Sequence, residues 1–181
     1  MDESRKQIER AHALVEARAR RVQDFPEPGV EFLDLTPVLA DAEAFGAVID
    51  ALGLGWADID LVAGLDARGF LLGAAVAREL GLGVLAIRKA GKLPPPVHSR
   101  TYSLEYGEAT LEIPAEGVDL RGRRILIVDD VLATGGTVGA SIELLEECGA
   151  EIVGVSVVLE VPGLGGRDKL SSTTVRSLSE S

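Results

Sequence analysis

Two adjacent carboxylates, Asp129 and Asp130, close the apolar run Ile125-Leu126-Ile127-Val128, and Val131-Leu132-Ala133-Thr134-Gly135-Gly136-Thr137 follows. Four apolar residues in a row read as a buried strand. The carboxyl end of a parallel strand is where open α/β sheets bind ligands. Gly135 and Gly136 let the backbone take unusual φ values and come close to a ligand. Their N–H groups, those of the following helix turn, and the hydroxyls of Thr134 and Thr137 suit a phosphate. No Lys follows the glycines, so this is not the P-loop of a nucleoside triphosphatase. Adjacent acids repel a lone phosphate. They fit a ligand that also presents sugar hydroxyls or a bound magnesium ion, so the implied ligand is a ribose phosphate. Acids and hydroxyls also cap helices. Two of each with two glycines in one turn exceed what capping requires.

The charge distribution agrees. The 181-residue chain carries 18 basic and 29 acidic residues, a net charge of −11. That argues against nucleic acid or an anionic membrane as partner, since both are polyanions. Yet Asp66 to Arg100 holds Arg68, Arg78, Arg88, Lys89, Lys92 and Arg100 against only Asp66 and Glu79. A local positive field there suits a small anion. The single cysteine, Cys148, excludes an intramolecular disulfide and a cysteine-based zinc site. It lies between Glu147 and Gly149 with no basic neighbour, which reads as inert packing. His12 and His98 are too far apart in sequence to read as a metal pair. The start, Met1 to Lys6, has no apolar core of a secretory signal, and no apolar run approaches membrane-spanning length. The expectation is a soluble, cytoplasmic protein.

These groups must be positioned by elements legible around them. Residues 4–22 read as an amphipathic helix, with Ile8, Ala11, Val15 and Val22 on one face. Asp24 to Gly29 is a proline-stiffened turn, and Val30 to Leu35 looks extended. Thr36-Pro37 signals a helix start, and Asp41 can cap a helix to about Leu52. Ile59–Leu65 and Val84–Arg88 are short apolar runs around a helical stretch, Gly69–Leu80, stopped by Gly81. A helix over about 138–148 follows the acidic segment, then a buried strand, Ile152–Leu159. This alternation predicts an α/β fold with a parallel sheet covered on both faces. Residues 90–120 interrupt it as a long loop and hairpin, a common form of lid. The Ser- and Thr-rich tail, 171–181, is expected to fray.

The acidic and glycine-rich segment resembles the signature with which phosphoribosyltransferases bind 5-phosphoribosyl 1-diphosphate (PRPP). Ala63-Gly64-Leu65-Asp66-Ala67-Arg68-Gly69-Phe70, Ile87-Arg88-Lys89-Ala90-Gly91-Lys92-Leu93-Pro94, Tyr102-Ser103-Leu104-Glu105-Tyr106-Gly107 and Phe25-Pro26-Glu27-Pro28-Gly29-Val30 resemble the adenine phosphoribosyltransferases, in that family's order. The likeness spans about residues 5–170. It implies one domain with the Rossmann-like type I phosphoribosyltransferase fold. A central parallel sheet is flanked by helices, with a small hood (about 1–36) and a mobile lid loop (about 95–110). It further implies purine salvage, with adenine and PRPP giving AMP and pyrophosphate, magnesium carried on PRPP rather than held by protein ligands, and a homodimer.

Roles carry over residue by residue as implications of the resemblance. Asp129 and Asp130 would bind the ribose hydroxyls and steady the cationic sugar. Ala133, Thr134, Gly135, Gly136 and Thr137 would hold the 5-phosphate. Asp66, Ala67 and Arg68, with Arg88, Lys89 and Lys92, would grip the diphosphate, and the Asp66–Ala67 bond would be cis. Val30, Glu31 and Leu33 would line the adenine. Tyr102 and Tyr106 would belong to the lid, with Glu105 facing the purine N7; a solvated loop charge is the alternative for Glu105. The chemistry is consistent: glycosyl transfer through an oxocarbenium-like state needs cations at the leaving diphosphate, carboxylates near the sugar, and exclusion of water.

One position departs from the pattern. The family usually carries Arg or Lys where this chain has Leu33. Two rival readings remain. One is a phosphoribosyltransferase for hypoxanthine, guanine or xanthine. The other is a non-enzymatic PRPP-binding regulator, which the single helix at residues 1–22 and the net charge oppose.

Overall fold

In the computed structural model, which describes residues 3–25, 27–29, 31–103 and 107–180, a seven-stranded sheet carries the acidic segment at its centre. Its strands are β3 (Leu61–Leu65), β4 (Gly83–Lys89), β5 (Val97–Ser103), β6 (Glu108–Pro114), β7 (Arg124–Leu132), β8 (Glu151–Glu160) and β9 (Val175–Glu180). The spatial order is β5-β6-β4-β3-β7-β8-β9. The β4, β3, β7, β8 and β9 strands run parallel, and β6 pairs antiparallel with both β4 and β5.

The continuous apolar strands follow from burial on both faces. Ala63, Leu65, Ile125 and Ile127 pack with α5 (Gly136–Glu147). Val62, Leu126 and Val128 pack on the other side, with α3 (Ala42–Gly53) and α4 (Arg68–Leu80). Neither face meets water, so polar alternation disappears. Both helix signals act as expected. The Ala44 N–H donates to Asp41 Oδ1 at 2.9 Å, and Gly81 ends α4 in the left-handed region at φ 71°. The short α2 (Thr36–Ala40) begins at Thr36-Pro37.

Two expectations change. The first helix, α1, spans Glu3–Arg18 and not residues 4–22. Residues Arg20–Gln23 instead form β1, antiparallel to β2 (Glu31–Asp34), in a separate two-stranded sheet. Cross-strand pairing of Val22 with Phe32, and ion pairs from Arg20 to Asp34 and Arg21 to Glu31, outweigh one more helical turn. The tail also corrects: 175–180 is a strand, not a frayed end. It pairs with β8, and α1 seals it: Ser179 Oγ donates to Glu16 Oε1 at 2.9 Å, and the Leu178 carbonyl lies 3.2 Å from His12 Nδ1. Polar composition there reflects a strand whose side chains face a polar helix flank. Residues 97–103 and 108–114 form the expected hairpin, and its tip, Leu104, Glu105 and Tyr106, lies outside the described residues. No helix among the described residues is long and apolar enough to cross a membrane.

Candidate active site

Glycines bring β3, α4 and β7 unusually close. A Cβ on Gly64 would stand 2.4 Å from the Gly69 carbonyl oxygen, and one on Gly73 3.1 Å from the Gly64 Cα. A Cβ on Gly69 would stand 2.8 Å from Asp129 Oδ1. This contact sets the turn after β3 directly beside the acids. The Asp66–Ala67 bond in that turn is cis, as the resemblance implied. The Asp66 N–H donates to the Ile87 carbonyl at 3.1 Å, and Asp66 Oδ2 accepts from the Lys89 N–H at 3.4 Å.

The acids occupy the last turns of β7 before the glycine loop. Asp130 is only 7% exposed, and its carboxylate pairs with the Arg68 guanidinium. The Asp130 N–H donates to Asp129 Oδ1 at 2.9 Å. Burial, and then the neighbouring Asp130 charge, push the Asp129 carboxyl up to about 8. Asp129 therefore resists ionisation in the unliganded site, because its carboxylate would be buried beside a second acid.

The glycine loop is built against a segment that sequence reasoning missed. Gly135 is left-handed at φ 77° and opens α5. A Cβ there would stand 2.7 Å from the Gly166 carbonyl, and a Cβ on Gly166 2.1 Å from the Ala133 carbonyl. Gly166 begins α6 (Gly166–Lys169). Arg167 then clamps this helix to the sheet through Glu160, the Ser177 hydroxyl and the Val175 carbonyl. The only available signal was Gly165-Gly166 following a buried strand.

A cavity of about 620 Å³ joins these parts, lined by Asp66, Ala67, Arg68, Lys89, Tyr102, Ala109, Asp129, Asp130 and Thr137. The Ala133–Thr137 loop forms an adjoining hollow of about 100 Å³. The cavity therefore brings Arg68 and Lys89 beside the two carboxylates, and Asp129 and Thr137 are shared with the hollow of the glycine loop. Arg88 and Lys92 do not line the cavity. Arg88 Nε lies 3.6 Å from Asp66 Oδ2 at the cavity wall, its guanidinium lies 5.6 Å from the Phe70 ring, and Lys92 is exposed in the turn after β4. Glu31 and Leu33 also lie off the cavity, in β2: Glu31 accepts from Arg21 and Gln23, and Leu33 packs with Ala11 and Val15. Val30, Glu105 and Tyr106 lie outside the described residues. A second hollow of about 640 Å³ at the foot of the hairpin includes His98 and Cys148. Burial and Glu147 push the Cys148 thiol up, which suits packing and not reactivity.

A parallel sheet with paired acids, a phosphate loop and a cationic turn at one strand-end defines a phosphoribosyltransferase domain, and a family model described as "Phosphoribosyl transferase domain" matches residues 37–179. An adenine phosphoribosyltransferase of Mycolicibacterium smegmatis is 61% identical over 165 residues, covering 91% of this chain and 92% of its own. The solved adenine phosphoribosyltransferase of Thermoanaerobacter pseudethanolicus is 43% identical with a TM-score of 0.88, covering 94% of this chain and 99% of that one. The Saccharomyces cerevisiae adenine phosphoribosyltransferase, solved with an imino-altritol bisphosphate and adenine, is 35% identical with a TM-score of 0.88, covering 93% and 98%. The chain belongs to the adenine phosphoribosyltransferase family.

Proposed function

We propose that the protein transfers the 5-phosphoribosyl group of PRPP to adenine, giving AMP and pyrophosphate. The observation that carries this is the set of groups gathered by one cavity and its adjoining hollow: Arg68 and Lys89, Asp129 and Asp130, and the Ala133–Thr137 loop. That set matches diphosphate, ribose and 5-phosphate.

The chain's residues would act as follows. Backbone N–H groups at Gly135 and Gly136, with the Thr134 and Thr137 hydroxyls, hold the 5-phosphate at the start of α5. Asp129 and Asp130 accept from the ribose hydroxyls. Their combined charge stabilises the oxocarbenium-like sugar as the C1′–diphosphate bond lengthens. Arg68 and Lys89 take up the charge that develops on the leaving diphosphate. The adenine N9 lone pair forms the new bond to C1′, and Glu105 accepts the purine proton at N7. Arg88, paired with Asp66 at the cavity wall, and Lys92 in the turn after β4 would add positive charge for the diphosphate.

The donor set at the site is hard oxygen, which suits magnesium. No cluster of three or more metal-ligating side chains occurs among the described residues. The ion would arrive on PRPP, beside the ribose hydroxyls that Asp129 and Asp130 hold, and when bound it neutralises the diphosphate.

Leu33, the departure from the family pattern, is compatible with adenine as the base. It is 7% exposed and packs with Ala11, Val15 and Val38. Its side chain is part of the core, so a purine contact in this segment would come from backbone groups and not from the side chain that departs from the pattern. We also assign a homodimer in the cytoplasm. Leu71 on α4 and Val84 on β4 are 58% and 46% exposed, apolar surface that a second copy would cover.

Pyrophosphate release from PRPP and magnesium, with adenine, hypoxanthine, guanine and xanthine offered separately, tests the activity. Turnover with adenine alone is expected. Turnover with another base would move the assignment within the fold. PRPP binding without turnover would make the protein a regulator.

A further inference from the structure

Tyr102, on β5, turns its side chain toward the start of α5. Its hydroxyl lies 3.0 Å from Thr137 Oγ1. Its ring rests 3.5 Å from where a Cβ on Gly136 would stand. It also lines the cavity shared by Arg68, Lys89 and the two acids. Two residues earlier, Arg100 pairs with Glu143 and Glu147 of α5. The strand is therefore strapped along the helix that opens the phosphate loop, and Tyr102 is carried to that loop by the same docking.

Two hydroxyls at this distance place one proton between them, and either oxygen can be its donor. A phenol, which loses its proton near pH 10, is the stronger donor, and the alkyl hydroxyl is the better acceptor. With the Tyr102 O–H as donor, Thr137 Oγ1 is the acceptor. That leaves the Thr137 proton free to rotate outward. We propose that Tyr102 is a positioning residue for the 5-phosphate: it occupies an acceptor site on Thr137 and so aims the Thr137 O–H at a phosphate oxygen. This rests on the phosphoribosyl-transfer reading of the same site, but it is tested through binding as well as turnover.

The test uses the full chain with Tyr102→Phe, Thr137→Val and the double variant. Phe keeps the ring against Gly136, so equal melting temperatures confirm an intact fold. Ribose 5-phosphate binding is measured by calorimetry. Tyr102→Phe should weaken it roughly 5-fold, the usual effect of one neutral hydrogen bond. In the Thr137→Val background the same change should cost nothing further, because the effect passes through Thr137. In turnover, KM for PRPP should rise while kcat and KM for adenine hold. Unchanged ribose 5-phosphate binding would overturn the proposal, as would an equal loss in both backgrounds. A wild-type chain that binds ribose 5-phosphate but turns over no base would defeat the functional reading alone, and the binding cycle would still decide on Tyr102.

Discussion

Gly166 sits so close to Ala133 that a Cβ on Gly166 would lie 2.1 Å from the Ala133 carbonyl oxygen. The phosphate loop is therefore shaped from behind by a four-residue helix that contributes no ligand-facing group in the cavity. Ala133 is backbone and cannot yield as a flexible side chain would. Gly166→Ala should push the loop toward the phosphate site. We expect KM for PRPP to rise on the order of 10-fold or more, from misplacement of about 1 Å. The melting temperature should fall by a few degrees. Steady-state kinetics with varied PRPP and a thermal melt check both.

Asp129 should set the pH dependence of unliganded stability. Its carboxyl is raised from 3.8 to about 8 by burial and by Asp130. Between those values the folded chain keeps a proton that the unfolded chain has lost. Stability must therefore fall as pH rises across that window and level off above it. Asp129→Asn removes the titration while its side-chain oxygen still accepts from the Asp130 N–H. Unliganded Asp129→Asn should be more stable than the parent at pH 8, by about 1–3 kcal/mol, and nearly equal at pH 4. Urea melts across pH 4–9 measure the difference. Equal slopes for parent and variant would place the shift elsewhere.

Asp130→Asn should separate function from stability. The change removes the partner of Arg68, but Arg68 is half exposed and can turn to water. It also removes the charge that burdens Asp129. The melting temperature should move little. Turnover should drop about 100-fold or more, as for loss of one preorganised electrostatic group at a developing charge. An unfolded variant would show that Asp130 serves the core and not the ligand.

Gly64 tests the packing that places the site. A Cβ there meets the Gly69 carbonyl at 2.4 Å, backbone against backbone. Gly64→Ala should force α4 away from β3 and cost about 2–3 kcal/mol or more, as overpacking of a tight core does. Activity per folded molecule should fall as well, because the Asp66–Arg68 turn moves with the helix. Denaturant unfolding alongside kcat checks the two effects together.

Much of the site was readable before any fold was known. Asp129, Asp130 and the Thr134–Thr137 loop are contiguous, and their chemistry follows from one strand, one turn and one helix start. Local geometry dictates it. Asp66 to Arg68 fell between an apolar run and a helical stretch, and its role was implied by the resemblance. The double-sided sheet followed from unbroken apolar runs such as Ile125–Val128.

What lay beyond the sequence depends on contacts between distant segments. Whether Arg88 or Lys89 faces the cavity is set by the pairing of β4 with its neighbours, since adjacent residues on a strand point to opposite faces. Lys89 lines the cavity and Arg88 stacks on Phe70. The Leu33 side chain is directed by the β1–β2 ladder and by packing under α1. The tail becomes a strand because β8 offers an open edge and α1 offers Glu16 and His12. Gly166 and Tyr102 reach the phosphate loop from 30 or more positions away in the chain. Local residue types determined the chemistry of the ligand. Long-range packing decided which side chains meet it, because register and face are properties of paired elements and not of any one segment.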